Sequence, residues 1–260
     1  ENALNRFPGE ARLWNQTGVH HMEAGWDEGQ NEMNRDSLKL AIASYRRAVE
    51  LDPENPVFLG NLGDSLRQAG EFTEASVILE RSVKYGGRGS DPAFAVNSLA
   101  RLMDERSYSV ETGGATESDW EQAGDFYRQA AQTGSENADY LRDYAWWLYR
   151  ERRLESAIEY YRRAQAADPN DSSFPYGEYT CHLELGSVST ALEALKKSLS
   201  LDPSDPYKLA DLADITGSLG DDAEAEHIYL EVLRLGGEES WVLERLAEFR
   251  ESRAETTDPE

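Results

Sequence analysis

The side chains able to do chemistry are few and poorly spaced for catalysis. The histidines are His20, His21, His182 and His227, and the single cysteine is Cys181. His20 and His21 have Glu23 and Asp27 nearby, but adjacent residues on a helix point about 100° apart and cannot both ligate one ion. No Gly-rich phosphate loop, His-Glu-x-x-His or Gly-x-Ser-x-Gly stretch occurs. Carboxylates are so abundant that pairs of them carry no acid–base information. The residues therefore point to a non-enzymatic protein with no catalytic residue, metal site or cofactor. A different chemistry is written at Arg142, Trp146, Tyr149 and Arg150, which fall on one stripe of a helix. A guanidinium binds a carboxylate through a two-point fork, and flat aromatics supply rigid contact area. That chemistry is recognition.

The helix carrying this stripe belongs to a helical hairpin over residues 141–169. Leu141, Tyr144, Ala145 and Leu148 form one apolar face, and Leu154, Ala157, Tyr161 and Ala164 form the next, stopped by Asp168-Pro169. Ala145 and Ala157 sit where two helices would approach most closely. Such a hairpin cannot bury its apolar face alone, so it requires copies of itself. Pro53, Pro169 and Pro203 stop helices in one register, and aligning on them gives a period of about 34 residues. Copies follow with Ala191, Leu195 and Ser198, and with Leu209, Ala213, Ala225 and Tyr229. Upstream copies carry Leu59, Leu62, Gly63, Ala75 and Leu79, then Val96, Leu99, Ala100, Ala123 and Tyr127. The first copy is marked by Trp14, Gly18, Ala41, Tyr45 and Ala48.

This pattern resembles the tetratricopeptide repeat, with small residues at positions eight and twenty of a helix–turn–helix. The resemblance implies an all-α, right-handed superhelical solenoid of about six helix pairs plus a C-terminal capping helix. The repeats are expected at 11–55, 56–89, 93–137, 138–171, 172–205 and 206–239, with the cap at 240–253. Residues 1–10 read as a remnant of an upstream repeat and 254–260 as a disordered tail. Tyr179 at position eight, Thr17 at position seven and Pro175 depart from the pattern. Insertions at 22–36 and 104–119 fall between paired helices; the first is expected to extend its helix and the second to be a flexible loop.

In this family the exposed face of the first helices lines a concave groove for extended peptides. Reading the corresponding positions gives Asn61, Arg67, Phe94, Asn97, Arg101, Arg142, Trp146, Tyr149, Arg150 and Tyr176. Four of these are arginines in a chain of net charge −24, so the expected partner is a protein or peptide with acidic or carboxylate groups. The plainer alternative is that the arginines pair with Asp104, Asp139 and Asp143 and keep the face solvated. Of the family's chaperone-tail clamp only Asn61 matches, so that ligand is not expected. Two further readings are a docking region of a larger enzyme or of a secretion or assembly machine, and a self-assembling scaffold.

Composition bounds the rest. A hydrophobic fraction of 39% with 10% aromatics suffices for a core. The charge disfavours nucleic acid and anionic membrane surfaces, and no apolar run reaches the roughly 20 residues of a membrane span. One cysteine excludes an intramolecular disulfide and fits a reducing compartment such as the cytoplasm without fixing it.

Overall fold

The computed structural model describes residues 10–27, 32–86, 91–108, 117–236 and 240–257. These form thirteen helices: α1 (Ala11–Gly25), α2 (Arg35–Leu51), α3 (Pro56–Gln68), α4 (Phe72–Tyr85), α5 (Pro92–Tyr108), α6 (Glu117–Thr133), α7 (Ala138–Arg150), α8 (Leu154–Ala167), α9 (Ser173–Glu184), α10 (Val188–Leu201), α11 (Pro206–Ser218), α12 (Asp222–Gly236) and α13 (Ser240–Thr257). The chain divides into two compact units, residues 1–140 and 141–260.

Local chemistry sets where the helices start and stop. Asn34, Asn55 and Asp205 cap α2, α3 and α11 by accepting two backbone N–H groups each. Pro56 and Pro206 occupy first-turn positions whose N–H has no helical partner anyway. The turns within four repeats end the first helix with a residue of positive φ: Gly70, Gly186, Gly220 and, at φ 59°, Arg152. At each, the following N–H reaches back five residues to a helical carbonyl, as from Arg153 to Leu148 at 2.9 Å and from Ser187 to His182 at 2.9 Å.

Packing then explains the repeat. Position twenty is alanine in all six second helices (Ala41, Ala75, Ala123, Ala157, Ala191 and Ala225), and each is 0% exposed. No larger side chain fits there without moving a neighbouring helix. Within each pair the two helices pack together, α7 meeting α8 through Tyr144 edge-on to Tyr160 at 4.7 Å. Second helices also meet the next first helix, α2 on α3, α4 on α5, α8 on α9 and α10 on α11. In the second unit α13 packs on the last pair, burying Val242 and Leu246 against α11 and α12.

Differences from expectation are local. The first insertion lengthens its helix only as far as Gly25; beyond it the two-residue strands Trp26–Asp27 and Glu32–Met33 pair antiparallel. The Gly25 carbonyl accepts the Asn34 N–H at 2.8 Å, which closes that excursion at its base. In the second insertion α5 continues to Tyr108 and α6 begins at Glu117, so helix covers both ends of the expected loop. The last helix runs to Thr257, past the expected boundary at 253. Residues 1–9, read as a repeat remnant, lie outside the described residues. Tyr179 at position eight is compensated two residues earlier: Gly177 opens the space into which the Tyr161 ring packs.

Candidate functional site

The expected groove residues separate by unit. In the first, Asn61 donates through Nδ2 to Asn15 Oδ1 at 2.9 Å. Arg67 is only 8% exposed; its Nε donates to Asp64 Oδ1 at 3.0 Å and its Nη1 to Glu105. Arg101 adds positive potential at both carboxylates. Burial opposes ionisation of Asp64, but Arg67 and Gln68 hold its carboxyl below the usual range. At Glu105 desolvation outweighs Arg67 and the pKa is raised. Asn97 is buried, and Phe94 packs against Gly60. Arg67 is already saturated with carboxylate.

The second unit brings expected residues together on a surface with cavities. Arg142, Trp146 and Tyr149 come from α7 and Tyr176 from α9. One cavity of about 430 Å³ lies elsewhere, between α8, α9 and α10. The two that involve expected residues adjoin each other. The first, about 380 Å³, is lined by Arg142, Asp143, Trp146, Tyr161, Ser173, Tyr176, Gly177 and Thr180. The second, about 500 Å³, is lined by Tyr149, Tyr176, Tyr179, Thr180, Leu183, Glu184 and Asp211. Tyr176 and Thr180 belong to both, so the two form one trough along α9.

Its geometry is that of a contact surface. Trp146, 48% exposed, stacks on Tyr149 with centroids 5.4 Å apart and planes inclined by 20°. Tyr176 lies against Tyr179 at 5.3 Å. The Tyr176 hydroxyl donates to Asp211 Oδ2 at 2.8 Å, and the Tyr149 hydroxyl reaches Glu184 Oε1 at 3.4 Å. Desolvation and these carboxylates raise both phenol pKa values, so the tyrosines stay neutral donors. Arg142 Nη2 meets Asp143 Oδ1 at 3.3 Å, and Arg150 is partly buried on the same helix outside both cavities. Ser173 Oγ is buried without a hydrogen bond at the first cavity.

Cys181 is fully buried, and desolvation pushes its thiol up to about 12. Among the described residues no group of three His, Cys, Asp or Glu side chains gathers to hold a metal, and no helix is long and apolar enough to cross a membrane.

Sequence reading misses Ser173, Thr180, Leu183 and Glu184, although the last three stand at the positions of the fifth repeat that Trp146, Tyr149 and Arg150 hold in the fourth. None of the four is basic or aromatic, so none departs from an ordinary solvated face. Asp211, one turn into α11, carried no signal in type.

A family profile described as tetratricopeptide repeat matches residues 27–88 and 116–172. Those stretches are tetratricopeptide repeats. Over 95% of its length this tetratricopeptide fold superposes on 44% of a chain in the Cut9–Hcn1 hetero-tetramer of the APC/C, with TM-score 0.70 at 12% identity. It also matches YrrB, a tetratricopeptide protein with an unusual peptide-binding site, at TM-score 0.58 and 16% identity, covering 77% of this chain and 96% of that one. In sequence it is 21% identical over 204 residues to Hsp70-Hsp90 organizing protein 1 of Glycine max. That match covers 68% of this chain and 35% of the relative, so the chain spans about a third of that protein's length.

Proposed function

We propose that this protein is a non-enzymatic scaffold that holds an extended segment of a protein partner in the trough along α9. The observation that carries the reading is the pair of adjoining cavities walled by Trp146, Tyr149 and Tyr176. From Ser173 to Glu184 the trough follows about 16 Å of helix, the length of about five extended residues. Exposed, mutually stacked aromatics supply contact area that loses little side-chain entropy on binding. YrrB has the same fold and its own peptide-binding site, which supports peptide recognition as a use of this architecture.

The arginines give less support to a purely acidic partner. Arg67 already meets Asp64 and Glu105, and Arg142 meets Asp143. The first cavity therefore takes an apolar or aromatic side chain, with room for one carboxylate beside Arg142.

The test is binding by Trp146→Ala. Peptides selected from a phage-displayed library of random twelve-residue sequences should bind this variant at least tenfold more weakly, because an exposed aromatic anchor is a typical hot spot. Its melting curve should shift little, since half of the ring faces water. Undiminished affinity would move the site off this face.

A further inference from the structure

We propose that the cavity between α7, α9 and α11 takes a cationic side chain of the bound segment, an arginine guanidinium or a lysine ammonium. The inference rests on the reading just given and names the chemistry of one half of that site. Tyr149, Tyr176 and Tyr179 wall the cavity, Leu183 closes one side, and Glu184 and Asp211 supply carboxylates; no basic residue lines it. Aromatic faces attract cations through their quadrupoles, and carboxylates accept the N–H groups a cation brings.

The hydrogen bonds are polarised for this ligand. Tyr149 and Tyr176 direct their hydroxyl protons at Glu184 and Asp211, which leaves oxygen lone pairs as what these groups present to a guest. An anion would meet two carboxylates and be desolvated among them, which is unfavourable.

The neighbouring cations do not cancel the preference. Arg152 Nη1 meets Glu184 Oε2 at 2.7 Å, but its side chain is 68% exposed and such a pair is held weakly. Arg245 is shared between Asp211, at 3.0 Å, and Asp214. Lys208 Nζ stands 5.9 Å from the Tyr176 ring centroid but is held by Asp202 at 3.3 Å and Asp205 at 2.9 Å. Glu184, Asp211, Asp214, Asp202 and Asp205 thus stand against Arg152, Arg245 and Lys208, and the local excess is negative. The chain's net charge of −24 works in the same direction at longer range and would speed the approach of a basic segment.

The same peptide selection tests the proposal, carried out with the full chain and followed by calorimetry on synthesised peptides. Recovered peptides should be enriched in Arg or Lys at one position. Glu184→Gln keeps an acceptor for Tyr149 and should weaken them about tenfold, with an unchanged melting curve. Asp211→Asn should act in the same direction, and replacing the basic residue of the peptide by norleucine should remove the difference between wild type and both variants.

Peptides that lose affinity for Trp146→Ala but are indifferent to Glu184→Gln and Asp211→Asn would overturn the charge assignment and leave the trough standing. So would recovered peptides enriched in Asp or Glu. Peptides insensitive to Trp146→Ala, or a library yielding none above background, would overturn the trough and this inference with it.

Discussion

Single residues divide here into those enclosed by neighbouring helices and those left exposed. Arg67 and Trp146 both fall at groove positions of the sequence repeat, yet Arg67 is 8% exposed and Trp146 is 48% exposed. The difference lies in neighbours that sequence does not pair: Glu105 belongs to the next repeat, and it completes the shell around Arg67. Arg152 is a second informative residue. It holds φ 59° at a turn where three other repeats place glycine, and a side chain pays for that conformation by about 1 kcal/mol. Arg152→Gly should therefore stabilise the chain by about 0.5–1 kcal/mol, even after losing its exposed contact to Glu184. Urea unfolding checks this: the midpoint should rise with an unchanged slope.

At the scale of the helix pair, close approach decides stability. Ordinarily Gly→Ala within a helix gains up to about 1 kcal/mol. At Gly177 the sign reverses, because an added Cβ would lie 2.4 Å from the Tyr161 ring on the preceding helix. Gly177→Ala should destabilise by about 2–3 kcal/mol, read from the urea midpoint. It should also weaken peptide binding, since Gly177 and Tyr161 both line the first cavity. The repeat pattern made the helices legible because their apolar spacing is local. The displacement of the small residue from position eight to position six was legible only as a departure, and the Tyr161 contact explains it.

For the molecule as a whole, the buried tyrosines set an alkaline limit. Tyr45, Tyr140, Tyr161, Tyr179 and Tyr229 are all at most 6% exposed, and burial raises each phenol pKa, Tyr45 to about 12. Above the ordinary tyrosine value of 10.0 the unfolded chain releases these protons while the folded chain retains them. The unfolded state then binds fewer protons, so stability falls as pH rises. Each group removes about 1.4 kcal/mol per pH unit, and five together approach the whole stability of a typical domain within about one unit. Helicity should hold to about pH 9–10 and be lost near pH 11, with tyrosinate absorbance appearing in the same step. Tyrosinate rising well before helicity falls would contradict this.

Sequence alone determined the repeat: six helix pairs, their small contact residues and their stops, because each depends on spacing along one helix or one turn. It also singled out Trp146, Tyr149 and Tyr176, since aromatic residues on a face the core does not need are visible as exceptions. Tertiary structure decided which of those residues meet. Glu184 and Asp211 come from two different helices, and nothing in their types separates them from the other carboxylates of this chain. Only packing of α9 between α7 and α11 sets them beside three tyrosines, and the proposal of a cationic side chain in the second cavity rests on that juxtaposition.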